Sequence, residues 1–145
     1  MKKDLQPGEF VEALQVPLPA EGWQFSAHKI AKRHDSDISA VCAVLGLRLQ
    51  AGVVHEARFA FGGMAAIVKR AAAAEAAVIG QPWTAATAQA AAAALTEDFK
   101  PLTDMRASAA YRLTVAQNLF TKLWLETGGG AEAPLGIWPS MQEVA

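Results

Sequence analysis

Residues 25 to 41 read FSAHKIAKRHDSDISAV, a stretch that crowds Lys29, Lys32, Arg33 and His34 against Asp35 and Asp37 just before uninterrupted apolar sequence. Cations at this density can stabilise an anion, or the negative charge that develops on a bound group; that work is electrostatic, not covalent. The competing reading is a solvated turn whose mutual salt bridges are each worth under about 1 kcal/mol. Other groupings carry less. Gly62-Gly63 ahead of Lys69-Arg70 superficially resembles a phosphate-cradling turn, but it lacks both the P-loop and the dinucleotide fingerprint, and a tight strand-to-helix corner explains the glycines. Gly128 to Gly130 follow a helix C-terminus, where the macrodipole repels anions. His28, His34 and His55 share no ligand spacing with one another or with Cys42, so no metal site is expected. Ser108 and Tyr111 have no base placed near them, and helix capping accounts for the serine. No constellation for covalent catalysis is present.

At 145 residues, with 52% hydrophobic and 19% charged side chains, the chain has the material for one compact core. A net charge of −1 with interspersed signs provides no field to attract nucleic acid or an anionic membrane, so neither partner is expected. The single cysteine, Cys42, excludes an internal disulfide and a thiolate-ligated iron-sulfur cluster, and fits a reducing, cytoplasmic setting. MKKDLQPGEF has two lysines but no apolar run behind them, so it does not read as a secretory signal, and no apolar run is long enough to span a membrane.

The elements that must position the charged stretch can be read from periodicity. Gly8 to Val16 reads as a short strand-like arm ended by Pro17 and Pro19. The pattern is extended from Phe25 and alternates from Ile38, placing Val41, Ala43, Leu45, Leu47 and Leu49 on one face. Gln50-Ala51-Gly52 predicts a hairpin, after which Ala57, Phe59 and Phe61 alternate with Glu56, Arg58 and Ala60. Beyond Gly62-Gly63 the spacing predicts a helix over 65–79, burying Ile67, Ala71, Ala74 and Val78 and stopping at Gly80. A second helix is expected after Pro82 with Thr84 as N-cap and Ala88, Ala92, Leu95 and Phe99 inward. A third, capped by Ser108, should run to about Glu126 with Leu113, Ala116, Phe120 and Leu123 inward. Strands followed by three helices predict an α+β fold, an antiparallel sheet of three to four strands covered on one face by helices. The division expected is an arm and linker over 1–21, a domain over 22–127 and an irregular tail over 128–145, in which Ile137 and Trp138 are suited to docking on the domain or a partner.

KIAKRHDSDISAVCA, FAFGGMAAIVKRAAAAEAAVIGQPW and DMRASAAYR, in this order and spacing, resemble one family: the C-terminal domain of the FAD-binding subunit of molybdenum hydroxylases, the CO dehydrogenase flavoprotein C-terminal domain family, and most closely that of bacterial xanthine dehydrogenase small subunits. The resemblance extends over residues 8 to 126. One departure is Val68, where the family pattern has proline just before Lys69; it is expected to touch the start of the first helix. The resemblance implies a sheet of three or four strands packed on three helices, with FAD held mainly by an N-terminal flavin half that this chain lacks. It also implies a flavin contact at Lys29, an apolar residue beside the flavin at Val11, and a flavin-proximal charged loop comprising Lys32, Arg33, His34, Asp35 and Asp37. The implied partners are the missing flavin half, an iron-sulfur domain and a molybdopterin-binding large subunit, with purine oxidation feeding electrons to NAD. The isolated chain is expected to be inactive and free of FAD. The alternative is an assembly or dimerisation module of the same fold that binds no cofactor.

Overall fold

A computed structural model describes residues 4–33 and 38–128. Strand β1 (Trp23–Ile30) runs antiparallel to β2 (Val41–Gln50), β2 to β3 (Val53–Gly62), and β3 to a two-residue β4 (Lys69–Arg70), in the sheet order β1-β2-β3-β4. Helices α1 (Ala72–Val78), α2 (Ala85–Asp98) and α3 (Ala109–Thr127) follow. The α+β architecture expected from the element order is the one observed.

Alternation sets the two faces. Val41, Ala43, Leu45 and Leu47 of β2 and Ala57, Phe59 and Phe61 of β3 are buried beneath the helices, against Ala74, Val78, Ala88, Leu95, Phe99, Ala116, Phe120 and Leu123. Phe120 meets Phe59 edge to face at 4.9 Å, and Phe99 meets Phe61 at 5.4 Å, the offset geometry that aromatic quadrupoles favour. Leu49 is only partly buried, because the β2–β3 register slips between Arg48 and Leu49 and the row loses its phase there. The β2–β3 hairpin turns on Ala51 and Gly52, both at positive φ (50° and 76°), the hand that matches strand twist in a two-residue loop. Thr84 accepts the amide of Thr87 and Ser108 that of Tyr111, so both expected N-caps are formed.

Two expectations are corrected. The arm over residues 8–16 forms no strand: it is exposed throughout, and among the described residues no strand pairs with it. The first helix begins at Ala72, not Ala65. Lys69-Arg70 pairs with β3 instead, and Ile67, expected inward, is exposed. Glu75 and Asp98 explain this start. The buried Glu75 carboxylate accepts the amide of Phe59 at 2.8 Å, doing the work of a missing strand partner, and binds Arg70 through both oxygens at 2.9 and 2.6 Å. Asp98 accepts the amides of Ala73 and Ala74 at 3.0 Å, capping α1 from a distant part of the chain. Val68 therefore lies in the exposed loop before β4, and the departure from proline does not fall on a helix start.

Candidate functional site

Three connections meet at one end of the sheet: β1–β2, β3–β4 and α2–α3. Arg112 of α3 ties them together. Its side chain is 2% exposed; Nη1 donates to the carbonyls of Ala40 and of Gly63 (2.9 Å to the latter), and Nη2 donates to Asp104 Oδ1 at 2.6 Å. Gly63 is required by this arrangement. Its φ is +80°, and a Cβ there would stand 2.5 Å from the Ala40 carbonyl oxygen and 3.3 Å from Arg112 Nη1. Sequence reasoning read Gly62-Gly63 as a corner and missed Arg112. The signal was available, since Arg112 precedes the inward Ala116 and Phe120 at intervals of four on a helix whose stripe must be buried.

Asp104 holds the α2–α3 connection in a tight turn, accepting the amides of Arg106 at 2.8 Å and Ala107 at 3.3 Å. The Arg106 amide is the largest influence and lowers its carboxyl below the ordinary value of 3.8; desolvation, next in size, opposes it, and the Ala107 amide and the Arg112 guanidinium reinforce the lowering. The charged stretch touches this turn directly, as Lys32 Nζ donates to the Met105 carbonyl at 2.7 Å. Between them lies a cavity of about 680 Å³, walled by Ala31, Lys32, Ala40, Asp104, Ser108 and Tyr111.

The sequence-derived site residues fall in separate places. Lys29 stands exposed near the end of β1, on the sheet face away from the helices, in register with Cys42, which is itself opposite Gly62. Lys32 lines the cavity and Arg33 is exposed beside it in sequence. His34, Asp35 and Asp37 lie outside the described residues. Val11, 62% exposed, belongs to the arm and is not packed into the domain core.

The open sheet face has a floor of small residues, with Ala27, Cys42, Val44, Ala60 and Gly62 in neighbouring rows. At its far end Trp23 and Phe25 stack at 5.3 Å and lie across Gly46, where a Cβ would come within 2.6 Å of the Phe25 ring. Arg58 caps the stack, 5.5 Å from the Trp23 centroid. On the opposite face His28 is clasped between β1 and α3. Its Nε2 is 2.6 Å from Ser26 Oγ, which donates to Glu126 Oε2 at 3.1 Å, and Glu126 is paired with Lys122. Burial, then Lys122, lower the His28 pKa below 6.5, while Glu126 opposes them. Among the described residues no helix is long and apolar enough to cross a membrane.

The chain is 33% identical over 130 residues to the nicotinate hydroxylase of Emericella nidulans, a match covering 85% of this chain and 10% of that protein. Among solved structures it superposes on carbon monoxide dehydrogenase from Hydrogenophaga pseudoflava with a TM-score of 0.67 at 32% identity, covering 74% of this chain and 37% of the other. Quinoline 2-oxidoreductase from Pseudomonas putida 86 gives a TM-score of 0.65 at 31% identity over 80% of this chain and 40% of the other. The chain thus spans well under half the length of each of these relatives. The model of the CO dehydrogenase flavoprotein C-terminal domain matches residues 26–127, from within β1 to the last residue of α3. With β2 to β4, all three helices and most of β1 inside that match, the chain belongs to the CO dehydrogenase flavoprotein C-terminal domain family.

Proposed function

We propose that this chain is the C-terminal domain of the FAD-binding subunit of a molybdenum hydroxylase, where residues 22–127 help to close the flavin site and residues 1–21 and 128–145 are arm and tail. The observation that carries the reading is the family match over 26–127 together with the position of Lys29 on an open sheet face. The residues present fit one side of a flavin. Lys29 supplies a cation, and Cys42 and Gly62 in its rows leave a shallow floor on which a planar ring can lie. FAD, when bound, accepts and releases the two electrons.

The chain's own residues do the rest. The Lys29 ammonium stabilises negative charge gathering on the ring, tuning a group that the protein does not chemically assist. The Lys32 bond to Met105 and the Arg112 bonds to Ala40 and Gly63 hold the loops around Lys29 in one geometry, which is what electrostatic preorganisation requires. Arg33, His34, Asp35 and Asp37 would adjust the local field, and Val11, carried on the exposed arm, would lie beside the flavin. The expected partners are that half, an iron-sulfur domain and a molybdopterin-binding large subunit, in the cytoplasm.

The finer reading is an enzyme of xanthine dehydrogenase type that passes electrons from a purine to NAD. The three sequence motifs support it, and two relatives are named for nicotinate and quinoline, nitrogen heteroaromatics like the purines. The second reading, a cofactor-free assembly module, is favoured by the uncovered apolar face bearing Phe25, 51% exposed, and Val44, 44% exposed.

Lys29→Ala in the complete enzyme tests the proposal. Flavin potential or FAD retention should fall and NAD reduction should suffer, while substrate oxidation with an acceptor that bypasses the flavin survives. Arg58→Ala, on the same face but beside Trp23, is the control. An unchanged potential and unchanged NAD turnover in Lys29→Ala, or an equal effect in Arg58→Ala, would remove the flavin role.

A further inference from the structure

A second cavity, of about 440 Å³, shares Asp104 and Arg106 with the Lys32 cavity but is otherwise walled by the β3–β4 connection at Gly63, Ala65 and Ala66 and by Lys100, Leu102 and Arg112. Its charges do not cancel. Lys100, Arg106 and Arg112 face one carboxylate, Asp104, leaving an excess of two positive charges. Asp104 is committed to Arg112 at 2.6 Å and reaches Arg106 only at 3.7 Å, so the Arg106 guanidinium is weakly compensated. Lys100 has no hydrogen-bond or ion-pair partner among the described residues. Arg112, which lines the cavity, has its buried Nε–H without an acceptor among the described residues. The amides of Ala65 and Ala66 donate to no backbone acceptor among the described residues. Cations and the Ala65–Ala66 segment thus line one concavity, whose volume lies within the ligand range of about 300 to 1,000 Å³.

We propose that this cavity binds a phosphate monoester carried on a nucleotide-sized organic body. A phosphate monoester carries about −1.5 to −2 charges at neutral pH, which matches the excess of two, whereas one carboxylate would leave half of it unmet. The Arg106 fork suits the oxygens of a phosphate, Lys100 acts as a point charge, and the methyl groups of Ala65 and Ala66 with the exposed Leu102 offer apolar contact to the attached body. Gly63, before this loop, therefore lines the proposed anion site, which is built from the facing cations and not from a phosphate-binding fingerprint. The proposal rests on this lining alone and stands or falls separately from the flavin role of Lys29.

The test is titration of the 145-residue protein with AMP, using adenosine as the uncharged probe, followed by calorimetry and by amide chemical shifts. AMP should bind more tightly than adenosine, weaken with added salt, and shift the amides of Ala65, Ala66 and Lys100. Lys100→Ala and Arg106→Ala should each weaken AMP binding about tenfold or more, with unchanged circular dichroism, and Lys122→Ala should leave it as it was. Lys100→Arg should restore binding. The proposal is overturned if adenosine binds as well as AMP, if AMP does not bind at low-millimolar concentration, or if both alanine variants bind AMP like the parent protein.

Discussion

A buried arginine on an apolar helix stripe is costly unless its donors are used, and Arg112 uses both terminal nitrogens on three acceptors from three connections. Arg112→Met keeps the volume and strands two carbonyls. Loss of roughly 2–4 kcal/mol is expected from bonds to a charged group, measured by denaturant unfolding, and Arg112→Lys should rescue only part of it because an ammonium cannot fork. A loss as small as that of an exposed substitution would show that the connections do not depend on Arg112. Asp104 gives the same corner a pH dependence. Its folded pKa is depressed, so the stability it contributes is present above its ordinary value of 3.8 and is lost as pH falls through the lower folded value. Asp104→Asn should therefore be less stable than the parent at neutral pH, and the difference should shrink as pH falls below 3.8. A constant difference down to the acid limit would contradict the assignment.

Among the elements, the hairpin of β2 and β3 was legible because its alternation is strict and its turn residues suit a two-residue loop. Leu47 is fully buried in the middle of β2, whereas Arg58 of β3 lies exposed on the open face. Leu47→Asp should cost several kcal/mol, about 4 or more, because it buries an unpaired carboxylate. Arg58→Asp should cost under about 1 kcal/mol, the worth of an exposed cation over an aromatic ring. Equal shifts in thermal midpoint would mean that the two faces have been exchanged. The first helix was misread for a physical reason. Alanine-rich sequence from Ala65 has helix propensity over its whole length, but Arg70 and Glu75 are held by β3, and a contact of that kind outweighs propensities worth tenths of a kcal/mol per residue. The arm differs conversely: its residues suit a strand, but among the described residues no strand pairs with it.

For the molecule as a whole, the arm and the open sheet face are exposed apolar surfaces, bearing Val11 and Leu14 on the one and Phe25 and Val44 on the other. On the proposed reading this domain would supply one side of a flavin pocket, so the isolated chain should purify colourless. Absorbance in the flavin bands would check this, and stoichiometric FAD on residues 1–145 alone would overturn it. Periodicity and capping, which are local, sufficed to determine the α+β class, the buried faces of β2 and β3 and the N-caps at Thr84 and Ser108. The motifs, in their order, determined the family. Only the tertiary structure decided that Lys32 reaches Met105, that Arg112 joins Ala40, Gly63 and Asp104, and that Lys100 and Arg106 face Ala65 and Ala66 across a cavity. Arg112 lies 72 residues from Ala40 and 49 from Gly63 along the chain. Contacts at that separation leave no periodic trace, because they follow from how the sheet twists beneath the helices, and no window of neighbouring residues contains that information.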